Sequence, residues 1–266
     1  METLKVKTIL NWLNEISPFE SAEEYDNVGL LVGSENAEVQ QILVALDVTP
    51  GVLDEAEQHG VQLIVTHHPL MFRGTKRVLE DDYEGSLICR MIRDHISMIA
   101  AHTNLDQSPL YSGSAALAKL LKLQNIRQNG FMFVGDLPDA PVRADVLRRR
   151  IAECEQDQVY QYGSDDALIT TLGICGGAYD EGFDQARSMG AQAYLTGEVR
   201  HHNALAAAGS GFVLYQGGHF GTEAPLVPLL AEALQNAMNA LQYDVEVYPS
   251  KCRPYGGHMD FKEEFR

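Results

Sequence analysis

Cysteine is scarce in this chain: Cys89, Cys154, Cys175 and Cys252 are four residues in 266, widely spaced and without a C-x-x-C pair. That excludes a disulfide framework and a thiolate zinc knuckle, and it fits a reducing, cytoplasmic setting. Cys175 lies in an apolar run and reads as a small buried hydrophobe. No apolar run reaches the roughly 18 residues of a membrane span, so no membrane partner is expected. The opening residues lack a charged-then-apolar leader profile. Positive charge is also in short supply. The 20 Lys and Arg face 37 Asp and Glu, for a net charge of −17. Such a surface repels a phosphate backbone, so nucleic acid is not the expected partner. The one dense basic cluster, Arg143 with Arg148 to Arg150, reads as a solvated helix face. There is no Walker loop and no Gly-rich dinucleotide fingerprint.

What is present is a chain with 45% hydrophobic residues, ample for a core without staples. Val6, Ile9, Leu10, Leu13 and Ile16 keep helical spacing, so an amphipathic helix opens the fold. Apolar runs at Ile42 to Leu46, Val61 to Val65 and Ile96 to Ala101 predict buried strands, with helices over 51–59, 84–95 and 113–123. The stretch from Gln124 to about Asp166 is less regular, with a short strand at Phe131 to Val134, a proline turn and one helix. The rhythm then resumes: Ile169 to Cys175, a helix after Asp180, Ala191 to Leu195, a helix over 199–208, Phe212 to Gln216, and a long helix from Pro225. The polar end, Asp260 to Arg266, is expected to fray. Strands alternating with helices predict an α/β fold with mainly parallel sheets.

Residues 42–68 laid over 172–198 match at Asp54/Asp184, Ala56/Ala186, Gly60/Gly190, Gln62/Gln192 and Thr66/Thr196. In the next unit Ala101-His102-x-x-x-Asp106 mirrors Gly218-His219-x-x-x-Glu223. The common order predicts two similar halves from an internal duplication, 1–126 and 127–266, with a metal site between them.

Ligands of open parallel sheets gather at the C-terminal ends of strands. Three polar clusters fall there: Thr66-His67-His68-Pro69, His102-Thr103-Asn104-Leu105-Asp106, and Gly217-Gly218-His219-Phe220-Gly221-Thr222-Glu223. Imidazoles and carboxylates without thiolate suit Zn²⁺, Mn²⁺, Fe²⁺, Co²⁺ or Mg²⁺. Adjacent histidines at a turning strand end can diverge onto two ions, and a carboxylate such as Glu223 can bridge them. Each residue also has a plain structural reading: a lone histidine at a strand end is commonly just hydrogen-bonded, and an Asp or Glu there can cap a helix.

Together with Tyr25-Asp26-Asn27-Val28-Gly29-Leu30 and Thr196-Gly197-Glu198, these clusters resemble the YbgI-like, or NIF-three-like, family, whose members are often labelled GTP cyclohydrolase 1 type 2 homologs. The matching segments run from about Ser17 to Leu241. The resemblance implies two divalent ions per subunit: His68 and Asp106 on one, His67 and His219 on the other, and Glu223 shared. It also implies a homo-oligomer, a toroidal hexamer with the metal sites facing an internal cavity. Under the duplication, His102 corresponds to His219 and Glu198 to His68, which nominates His102 and Glu198 as catalytic neighbours that support the ligands or exchange protons with metal-activated water. The alternative is that they cap a strand and a helix. His201, His202 and His258 read as structural. Tyr25 to Gly29 either lines a pocket or joins helix to strand.

Two functions are consistent with these residues. One is a metal-dependent hydrolase acting on a nucleotide or related small molecule, by GTP ring opening or phosphoester cleavage; a metal site would offset the acidic surface toward such an anion. The other is a non-catalytic metal-binding oligomer with an interaction or metal-handling role.

Overall fold

The amphipathic opening forms α1 (Val6–Ile16), which buries Val6, Ile9 and Leu13. The chain continues through β1 (Gly29–Val32), β2 (Gln41–Ala45), α2 (Pro50–His59), β3 (Leu63–Thr66), α3 (Tyr83–Arg93), β4 (Ser97–Ala100) and α4 (Thr103–Asp106). Next come α5 (Gly113–Leu120), β5 (Gln124–Asn129), β6 (Met132–Asp136), β7 (Val142–Arg143), α6 (Ala144–Glu155), β8 (Tyr160–Tyr162), β9 (Leu168–Ile169) and β10 (Thr171–Ile174). The last elements are α7 (Phe183–Ser188), β11 (Ala193–Thr196), α8 (His201–Gly209), β12 (Val213–Gln216), α9 (His219–Glu223), α10 (Leu226–Ala240) and β13 (Glu246–Pro249). This computed structural model describes residues 3–155, 157–179 and 182–259; Asp180 and the expected frayed end, 260–266, lie outside them. No helix among the described residues is long and apolar enough to cross a membrane.

The chain divides into two units, but not at 126–127. One unit combines Met1–Ser108 with Val227–Arg266, and the other is Pro109–Leu226. The expected boundary misses two facts of strand pairing. β13, near the chain's end, hydrogen-bonds in parallel to β2 near its beginning. β5, which starts before residue 126, pairs with β6 in the second unit.

The first unit holds a sheet of order β1-β4-β3-β2-β13 and the second a sheet of order β5-β6-β10-β11-β12-β8. In the first, β2, β3 and β4 run parallel and β1 is antiparallel to β4. In the second, β10, β11 and β12 run parallel and β8 is antiparallel to β12. The four-strand pattern is therefore repeated, as the internal sequence matches imply. The matched glutamines show why those residues recur. Gln62 Oε1 accepts from Gln40 N at 2.9 Å and Gln41 N at 3.0 Å, while its amide donates to Gly60 O. Gln192 Oε1 accepts from Thr170 N at 3.0 Å and Thr171 N at 2.9 Å, while its amide donates to Gly190 O. Each glutamine occupies backbone groups at the start of the neighbouring strand, where no ladder partner is at hand. Gly60 and Gly190 both hold positive φ, 62° and 93°, which a side chain would resist.

Both faces of each sheet are covered, the requirement for a parallel core. In the first unit Leu43, Ala45, Ile64 and Met98 pack with Val52, Leu53 and Ala56 of α2 and Leu87 and Met91 of α3. In the second, Leu172, Ile174, Leu195 and Tyr215 pack with Leu117 of α5 and Leu147 and Ile151 of α6. On its other face Val134, Tyr194 and Leu214 meet Phe183 and Ala186 of α7 and Ala207 of α8. Each such large side chain stabilises the fold by about 1.5–3 kcal/mol. The basic cluster is a solvated face: Arg143 and Arg149 pair with Asp145, and Arg150 with Asp139.

Candidate metal centre

The nominated histidines, Asp47, Asp106, Glu198 and Glu223 all follow the C-terminal ends of parallel strands. In the first unit, Asp47 comes after β2, His67 and His68 after β3, and His102 after β4, with Asp106 closing the single turn of α4. His67 is 1% exposed, and its Nδ1 lies 2.9 Å from the carbonyl oxygen of Ala101. A carbonyl can only accept, so Nδ1 carries the proton and the Nε2 lone pair is turned outward. His68 Nδ1 donates to Asp47 Oδ1 at 2.8 Å, and His102 Nδ1 to Asp26 Oδ1 at 2.9 Å. Side-chain nitrogens of His67, His68 and His102 lie within 4.8 Å of one another, the spacing of groups that can share an ion. Asp106 adds a carboxylate oxygen 3.4 Å from His67 Nε2.

Asp26 is enclosed, and burial by itself would raise its pKa. Hydrogen bonds from His102 Nδ1, from the Thr103 hydroxyl at 2.5 Å and from the Thr103 amide at 3.0 Å outweigh that, and hold it well below the usual carboxylate range. It is therefore a fixed anion behind His102.

The second unit repeats the device. His219 opens α9 and Glu223 closes it, one helical turn apart, with His219 Nε2 3.2 Å from Glu223 Oε2. His219 Nδ1 donates to Glu198 Oε1 at 2.7 Å. Glu223 is 4% exposed, and a glycine makes its position possible. A Cβ on Gly177, whose φ is +67°, would lie 2.2 Å from Glu223 Oε1. Thr222 fixes the turn by accepting from Gly177 N at 3.0 Å and donating to Gly218 O at 2.9 Å. Gly177→Ala is expected to displace the Glu223 carboxylate and weaken metal binding by roughly tenfold or more, the scale of losses from disturbed ligand support. Metal titration of the purified variant, with circular dichroism to confirm folding, measures it.

The Duf34/NIF3 (NGG1p interacting factor 3) family model matches residues 4–255. The chain belongs to the Duf34/NIF3 family. It is 30% identical over 261 residues to a GTP cyclohydrolase 1 type 2 homolog of Clostridium acetobutylicum, covering 94% of this chain and 96% of that protein. It is 33% identical over 233 residues to a GTP cyclohydrolase 1 type 2 of Helicobacter pylori, covering 87% of this chain and 92% of that protein. The crystal structure of Staphylococcus aureus hypothetical protein SA1388 superposes with a TM-score of 0.88 at 27% identity, covering 93% and 96% of the two chains.

In this Duf34/NIF3 chain, the sequence-nominated residues group by unit: His67, His68, His102 and Asp106 in the first, Glu198, His219 and Glu223 in the second. Glu198 does not cap α8, which has no side-chain cap, and both it and His102 join histidine–carboxylate pairs. His201, His202 and His258 are exposed. Sequence reasoning missed Asp47 and Gly177 and left Asp26 open. Asp47 carried a readable signal, a carboxylate directly after a buried strand, as Asp106 and Glu223 have after theirs. Gly177 lay hidden in an apolar run as part of Cys-Gly-Gly.

The residues fit divalent ions by their donor chemistry. All four imidazoles place Nδ1 on a fixed acceptor: a carbonyl for His67, and carboxylates for His68, His102 and His219. That is the arrangement by which proteins fix the tautomer of metal-ligating histidines.

Proposed function

We propose that this Duf34/NIF3 protein is a metal-dependent hydrolase acting on a nucleotide or related small molecule, working as a homo-oligomer, a toroidal hexamer, in the cytoplasm. Two divalent ions per subunit would be held by His68 and Asp106, by His67 and His219, and by Glu223 shared between them. When bound, such ions lower the pKa of water toward neutrality and polarise the bond under attack. The chain's own residues do the rest. Asp47 and Glu198 hold His68 and His219 in the ligating tautomer. His102, oriented from behind by Asp26, exchanges a proton with the reacting groups at Nε2.

The observation that carries this reading is the set of four Nδ1 hydrogen bonds, because a merely structural histidine has no need to keep Nε2 unprotonated toward its neighbours. Relatives named GTP cyclohydrolase 1 type 2 make GTP the first substrate to try. Metal-reconstituted protein is incubated with GTP and a phosphoester panel beside Glu223→Ala. Turnover by the parent and a loss of roughly 10²–10⁴-fold in the variant is the expected result. His102→Ala is expected to lower turnover far more than metal content. Full metal loading with no turnover anywhere in the panel would leave the non-catalytic, metal-handling reading in its place.

A further inference from the structure

The turn at Tyr25 to Gly29 does more than join helix to strand. Its Asp26 is hydrogen-bonded to His102 and Thr103. One residue on, Asn27 Nδ2 donates to Met71 O at 2.6 Å, which ties the turn to the loop after His68. Leu70 and Met71 of that loop pack against the core of the first unit, but Phe72 turns outward and is 45% exposed. Tyr25 is 64% exposed. The two rings meet with centroids 6.1 Å apart and planes tilted by 56°. The Phe72 ring also stands edge-on to His102, 6.1 Å between centroids.

Two large aromatic side chains are thus held at the surface by hydrogen bonds, beside the histidine cluster, without being needed by the core. The Tyr25 phenol sits in a strongly acidic setting: partial burial first, then the charges of Glu23, Asp26 and Asp106, raise its pKa. It is therefore a neutral ring whose outer face is open, within reach of the field of Asp106. Rigid, exposed, amphipathic rings at a reaction site are suited to stacking a flat ligand.

We propose that Tyr25 and Phe72 form a stacking platform for the planar heteroaromatic ring of the substrate, holding it beside His102 while the phosphates or the reacting bond face the metal ligands. This rests on the hydrolase reading above and narrows it to substrates that carry a base. The rings touch each other, so the base lies on their open faces rather than between them.

The test compares a non-hydrolysable GTP analogue with inorganic triphosphate, by calorimetry on metal-loaded protein. Wild type is expected to favour the analogue by roughly 10- to 100-fold, the scale of aromatic stacking on a base. The double variant Tyr25→Ala/Phe72→Ala is expected to lose that preference while keeping its metal content and its triphosphate affinity. Tyr25→Phe should retain it. Triphosphate binding without any ring preference in wild type overturns the platform alone. Metal-loaded wild type that binds neither ligand overturns the hydrolase reading and the platform with it. A double variant that changes oligomeric state but keeps the ring preference also overturns the platform, placing the rings in a subunit interface.

Discussion

Replacing His67 with alanine is expected to remove most of the stabilisation that divalent metal would give this protein under the two-ion reading proposed above. Bound ligand at about a thousand times its Kd adds about 4 kcal/mol to folding. For a chain of this size that raises Tm by roughly 8–16 °C. His67 contributes a buried ring whose Nδ1 is committed to Ala101 O and whose Nε2 lies 3.4 Å from an Asp106 oxygen. Its removal takes away a ligand and also strands the Ala101 carbonyl, at a further cost of about 1–3 kcal/mol in the metal-free protein. Thermal melts with and without chelator, alongside elemental analysis, separate the two effects. Asp47→Asn is the calibrating variant. It leaves His68 in place but removes the charge behind it, so metal affinity should fall by roughly 10- to 100-fold rather than vanish. A His67→Ala protein that keeps both its metal and its full chelator-sensitive shift would refute the ligand assignment.

The second large effect belongs to a carboxyl outside the ligand set. Glu155, the last residue of α6, is 1% exposed, and neither of its carboxyl oxygens has a hydrogen-bond partner among the described residues. It packs so closely on the backbone of Gly217 that a Cβ there would lie 2.2 Å from a carboxyl oxygen. Burial, and then the charge of Asp157, push its pKa well above the ordinary value. A carboxyl whose folded pKa exceeds its unfolded value gives its full stability below the unfolded value, near 4.3. That contribution is lost as pH rises toward the folded pKa, at about 1.4 kcal/mol per unit. Glu155→Gln is neutral at every pH, so it should be more stable than wild type at pH 8 by roughly 1–3 kcal/mol. The advantage should vanish near pH 4.5. Urea denaturation at the two pH values decides it, and parallel pH profiles for the two proteins would count against a neutral Glu155.

The strands that sequence patterning found and those it missed divide along a physical line. Every interior strand of the two main sheets (β2, β3, β4, β6, β10, β11 and β12) announces itself as an apolar run, because it is buried on both faces. The strands of these two sheets that it missed, β1, β13, β5 and β8, are their four edges. β5 is exposed along its whole length, so Gln-Asn-Ile-Arg-Gln-Asn carries no hydrophobic signature. Missing β13 also misplaced the unit boundary, since only its pairing with β2 reveals where the chain's end belongs. The candidate site carried a more direct sequence signal than the sheet edges did. Histidines and carboxylates after buried strands marked six candidate residues, and the internal repeat singled out His102 among them and added Glu198. Asp26 was harder to see, because what defines it is the imidazole it holds, and that partner is 76 residues away along the chain.

The parallel pairing of β2 with β13 also sets an order on how the molecule is made. Residues 109–226 contain all the strands of their own sheet, so that unit is complete in an emerging chain before residues 246–249 appear. The unit that begins first must wait, its β2 edge open, until residues 246–249 emerge. Long-range closures of this kind are slow and leave a strand edge exposed to other chains in the interval. The sheet that contains β2 is thus the later of the two to close.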